Sequence, residues 1–136
     1  MRTNLEQARH LLETGGYTCV FYKADQAITC TQRGVKPLLE MIDAGKDLRG
    51  YSVADKVVGK AAALLYAYMQ VREVYAPVMS KGAERALLRH GIAVLYDACV
   101  ERIQNRRGDG LCPMESAVWD IDDPHEALQI LEKVTK

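Results

Sequence analysis

Apolar positions along the chain change their spacing several times, and each change predicts an element. Leu5, Ala8, Leu11 and Leu12 recur at helical intervals behind a capping box of Thr3 and Glu6, and Gly15-Gly16 stops the run. Tyr17-Thr18-Cys19-Val20-Phe21-Tyr22 and Ala27-Ile28-Thr29-Cys30-Thr31 are β-branched and aromatic, and the short turn between them predicts a hairpin. If Ala24-Asp25 is that turn, Cys19 and Cys30 stand directly opposite each other. Residues 34–44 predict a helix, with Pro37 in its first turn and Gly45 past its end.

Ser52 then stands as the N-cap of a long helix over residues 53–68, with Asp55 in the capping-box position. Val57, Val58, Ala61, Ala62, Ala63, Leu64 and Leu65 make this helix apolar nearly all round, so it is expected to be buried. A strand over 71–76 ended by Pro77, a helix over 80–90 and a strand over 92–96 predict a parallel crossover. A short helix over 97–104, a basic glycine-containing loop, a helical turn from Pro113 and a last helix capped by Asp123 complete the chain. The pattern predicts an α/β domain over 1–136, with a mixed sheet of four to five strands and helices on both faces.

Charge narrows the function classes. Lys+Arg and Asp+Glu each number 18, so there is no global attraction to nucleic acid or to an anionic membrane. No apolar run approaches the roughly 20 residues of a bilayer span. Glu6 and Glu13 interrupt the N-terminal apolar residues, which argues against a signal peptide and for a cytoplasmic protein. Cys19, Cys30, Cys99 and Cys112 lack zinc-knuckle spacing and are expected to be thiols in that compartment. His10, His90 and His125 show no ligand spacing, so no metal or cofactor is expected.

Two segments carry chemistry. Lys56 and Lys60 are four residues apart, which on a helix puts them on one face. Two cations near a helix start oppose its dipole, and burying them is costly without a counter-charge. An anion at that helix start would satisfy both, with Ser52 and Asp55 beside it. The second segment leads from Arg106 through Gly110 to Cys112-Pro113-Met114-Glu115. Pro113 at the first helical position makes Cys112 an N-cap, and a thiol there beside arginines becomes a better nucleophile. Glu115 falls in the same turn. Arg33, Gly34 and Lys36, just before Pro37, are a further candidate anion contact.

Gly34-Val35-Lys36-Pro37-Leu38-Leu39, Ala54-Asp55-Lys56-Val57-Val58-Gly59-Lys60-Ala61-Ala62 and Gly110-Leu111-Cys112-Pro113-Met114-Glu115 resemble the prokaryotic family named domain of unknown function 1893. That family is similar to an outlying branch of the cytidine deaminase-like superfold. The resemblance implies a three-layer α/β/α sandwich. Zinc deaminases carry a His-x-Glu or Cys-x-Glu at one helix start and a Pro-Cys-x-x-Cys at the next. This chain reads Ala54-Asp55-Lys56 and Pro77-Val78-Met79-Ser80-Lys81-Gly82 there, without His or Cys, so the zinc-bound water of the usual deamination is not expected.

The expected function is therefore a metal-free pocket for a small anionic ligand, a nucleotide or phosphorylated metabolite. Cys112, Asp55 and Lys56 are its candidate catalytic residues, and Lys60, Ser52, Glu115, Arg106 and Lys36 its candidate binding residues. The alternative is a non-catalytic metabolite-sensing or interaction module. A second copy of the chain remains open as a partner.

Overall fold

In the computed structural model, residues 2–103 and 112–135 are described; Arg106 lies outside them. Helix α1, Asn4–Gly15, starts as the capping box dictates: the Thr3 side chain accepts from the Glu6 N–H. Strands β1, Cys19–Lys23, and β2, Gln26–Cys30, pair antiparallel with Cys19 facing Cys30 and Lys23 facing Gln26. Ala24 and Asp25 both have left-handed backbones, φ 50 and 67, the conformation a two-residue hairpin turn requires.

Helix α2, Lys36–Asp43, has Pro37 in its first turn. The long helix predicted over 53–68 is not formed as such. Ser52–Asp55 is a strand, β3, and Val57–Val58 a second short strand, β4; helix α3 begins only at Lys60 and runs Lys60–Met69. Gly59 is the extended residue that ends β4 and opens α3. The apolar segment was thus two buried elements joined at a glycine.

Strand β5, Glu73–Ser80, runs through Pro77 rather than ending there. It pairs in parallel with β3 at Glu73 to Tyr75 and, in the same register, with β4 at Val78 and Met79. The gap between β3 and β4 falls opposite Pro77, which has no N–H to give to a ladder. The Lys56 N–H turns instead to the Thr18 carbonyl at 3.1 Å. Ser80 caps α4, Lys81–Arg89, through the Ala83 N–H. Strand β6, Ala93–Val100, pairs in parallel with β5 and takes up residues 97–100, which were predicted to be helical. Helices α5, Pro113–Ala117, and α6, Pro124–Thr135, follow; Asp123 caps α6 by accepting from Glu126.

Among the described residues six strands form one mixed sheet, rather than the four to five expected, in which β1 lies between β2 and β3, and β5 between the β3/β4 side and β6. Alternation along the strands sorts the two faces. Val20, Ala54 and Tyr75 meet Ala8 and Leu12 of α1 on one face. Cys19, Phe21, Val53 and Val74 turn to the other, where α3 is buried with α2, α4 and α6 around it. Among the described residues no helix is long and apolar enough to cross a membrane.

Candidate functional site

The site is built where the sheet breaks. Because β1 pairs with both β2 and β3, the register lines up Cys30, Cys19 and Asp55 as neighbours on three successive strands. Tyr66, in the middle of α3, reaches this row: its hydroxyl donates to Asp55 Oδ2 at 2.6 Å and lies 3.2 Å from Cys19 Sγ. A wholly buried tyrosine needs a hydrogen-bond partner, and here it has two. The Val57 N–H, just past the break, approaches Asp55 Oδ1 at 3.4 Å.

A cavity of about 690 Å³ opens beside this row. Its walls are mainly apolar, from Val35, Pro37 and Leu38 on one side to Ala61, Ala62 and Met114 on another. Asp55, Cys19, Glu115 and Cys112 also line it, with Arg33 as the cation on its wall. Protein surrounds the Asp55 carboxyl, although the residue keeps some surface toward the cavity. Burial raises this carboxyl from its usual range to about 7, against the hydrogen bonds from Tyr66, Val57 and Lys56 that favour the anion. A carboxyl poised there can hold or release a proton near neutral pH.

Glu115 is 4% exposed and already engaged. Its two oxygens accept the Lys60 and Ala61 N–H groups, each at 2.7 Å, so it caps α3 from 55 residues away. Burial raises its carboxyl despite those two bonds and the nearby Lys60 charge. Gly59 makes room for it, since a Cβ at that position would overlap the carboxylate.

The anion expected at the helix start is thus supplied by the protein itself. Lys60 Nζ points away from the large cavity, to the Trp119 carbonyl at 2.9 Å and Asp122 at 3.2 Å. Arg89 shares Asp122 at 3.2 Å. Lys56 is exposed in the strand break and does not line the cavity, and with no helix over 53–68 it shares no helical face with Lys60. Ser52 is not an N-cap either. It is buried at the opposite end of β3, bonded to Glu73 at 2.5 Å. Lys36 is exposed while its neighbours Val35 and Pro37 line the wall. Cys112 does stand as N-cap of α5 and does line the cavity, its N–H bonded to the Ile103 carbonyl at 3.1 Å.

Of the candidates read from the residues, Asp55, Cys112 and Glu115 come together. Cys19, expected only as the partner of Cys30, and Arg33, expected as an anion contact, join them, and so does Tyr66, which the sequence reading did not single out. A tyrosine within an otherwise apolar helix was the available signal for Tyr66. Strand pairing alone brings Cys19 beside Asp55.

Fold and site define an α/β protein with a mixed sheet, whose broken central strand presents a buried carboxyl to an apolar cavity. The model of the family described as "Domain of unknown function (DUF1893)" matches residues 7–134, and the chain belongs to that family. A crystal structure of a DUF1893 family protein from Thermotoga maritima is similar at 30% identity with a TM-score of 0.88, covering 98% of this chain and 91% of that one. No curated protein matches.

Proposed function

We propose that the cavity binds a small molecule with a largely apolar, flat body and a hydrogen-bond-donating group seated on Asp55, which serves as its acid–base group. The observation that carries this reading is Asp55 itself, a carboxyl held near neutrality in an apolar cavity. A cavity of this volume suits a ligand of nucleoside size. Two carboxyls on the wall disfavour an anionic group inside, and Arg33 favours one at the rim. A nucleotide would therefore enter base first, with its phosphate outward.

The same proposal includes kinship to the cytidine deaminase-like superfold, with its three layers. In that comparison the starts of α3 and α4 correspond to the zinc-ligand segments. Here they read Gly59-Lys60-Ala61 and Ser80-Lys81-Gly82, with Lys60 packed near Gly82. An ammonium group and no thiol or imidazole do not fit a zinc site. Among the described residues no base hydrogen-bonds the Cys112 sulfur, which favours binding without covalent chemistry, as in a metabolite sensor.

A thermal-shift series with cytidine, adenosine, their monophosphates and inorganic phosphate tests this reading. Nucleosides should raise the unfolding temperature by a few degrees near saturation, and Asp55→Asn should abolish the gain. Equal stabilisation by inorganic phosphate alone, or a gain that survives Asp55→Asn, would overturn it. Turnover of a stabilising nucleoside, followed by chromatography, separates an enzyme from a sensor.

A further inference from the structure

We propose that Cys19 and Cys30 form an oxidisable dithiol whose closure alters the hydrogen bonding of Asp55. The regulatory part rests on the reading of Asp55 as the ligand-binding group; disulfide formation does not. Cys19 and Cys30 are direct antiparallel partners. Opposite residues in such a pair have Cα atoms about 4.5–5.5 Å apart, inside the range a disulfide spans. Both side chains turn to the same face of the sheet and belong to the same buried cluster, 5% and 8% exposed. Both are free thiols. Cys19 also lines the cavity, so a small oxidant has a route to the pair from solvent.

The consequence follows from counting protons. The Tyr66 hydroxyl has one, and it is donated to Asp55. The Cys19 thiol proton is then shared between the Tyr66 oxygen at 3.2 Å and the facing Cys30 sulfur, and its share toward Tyr66 makes a chain from Cys19 through Tyr66 to the Asp55 carboxylate. Oxidation removes the thiol proton. With hydrogen peroxide, one sulfur attacks a peroxide oxygen to give a sulfenic acid and a first water. The other sulfur displaces that oxygen as a second water, forming the S–S bond. Two thiols and one peroxide become one disulfide and two waters. Tyr66 keeps its proton on Asp55 but loses its own donor, and the carboxylate is held less firmly. The other groups facing the row are Glu115 across the cavity and, toward Cys30, Glu40 and Lys46.

The test uses the full chain, reduced and then treated with hydrogen peroxide. Remaining thiols are trapped with iodoacetamide in denaturant and mapped by mass spectrometry. Carbon-13 NMR of labelled aspartate follows the Asp55 carboxyl, assigned by its absence in Asp55→Asn. The expected result is a Cys19–Cys30 linkage formed before any pairing of Cys99 or Cys112 and reversed by dithiothreitol. The Asp55 midpoint should rise by about half a pH unit or more on oxidation. Cys30→Ser should leave that midpoint indifferent to peroxide. Persistence of both thiols, or pairing of Cys19 with another cysteine, overturns the dithiol. A linkage that leaves the midpoint unmoved overturns the coupling. If the reduced protein already titrates Asp55 near 4, the reading of the cavity fails while the disulfide result stands.

Discussion

Glu115 and Asp55 are both carboxyls removed from water at the wall of one cavity, and their surroundings treat them differently. Glu115 receives two backbone N–H groups at the positive end of α3, in short bonds to both oxygens. Asp55 has one short bond, from Tyr66, with a long one from Val57 and a backbone contact from Lys56. Burial raises both, but it carries Asp55 to about 7. One carboxyl completes the fold, and the other is buried at the expense of the fold. Sites of function are where such uncompensated groups accumulate.

Four measurements break or sharpen that contrast. Asp55→Asn should stabilise the protein, and only above acid pH. The folded carboxyl keeps its proton up to about 7 while the unfolded one loses it near 4, so its contribution to stability falls as pH rises between these values. Each pH unit in that window costs about 1.4 kcal/mol, so the variant should gain up to about 4 kcal/mol above pH 7 and nothing below pH 4. Urea unfolding at pH 4, 5.5 and 7.5 checks this, and a flat difference across pH would place Asp55 with Glu115.

Glu115→Ala should destabilise by about 3 kcal/mol, because two buried N–H groups at the start of α3 lose their acceptor. Gly59→Ala should cost a similar amount by pushing the carboxylate aside, and the double variant should cost little more than either single one. Full additivity in urea melts would mean the two residues act separately.

Lys60→Met tests the other half of the helix start. Its partner Asp122 is largely exposed, so loss of the ion pair should cost only about 1 kcal/mol and leave the nucleoside thermal shift unchanged. A lost shift would return Lys60 to the binding site. Ala24→Gly should be the smallest effect, a gain of about 1 kcal/mol by relieving a left-handed alanine far from the cavity. It serves as a control that stability can change without touching Asp55, read again by the nucleoside shift.

Much of the frame was legible where local chemistry decides it. Thr3 and Asp123 cap the helices expected of them, and the alternation around Ala24-Asp25 set the register of Cys19 on Cys30. The segment 52–60 misled because buried strand and buried helix are both apolar, and Ser52 with Asp55 imitates a capping box. Val57-Val58-Gly59 was the signal against it, a β-branched pair closed by a residue suited to the change of direction. The error moved Lys56 and Lys60 onto one face and suggested an external anion. No local rule could have shown that Glu115 supplies that charge, since it lies 55 residues along the chain from Lys60.

Pro77 has a reach beyond its own strand. Both ladders that flank β5 skip this residue, leaving Lys56 unpaired on one side and Asp97 on the other. The cavity beside Asp55 thus opens where the sheet steps around a proline.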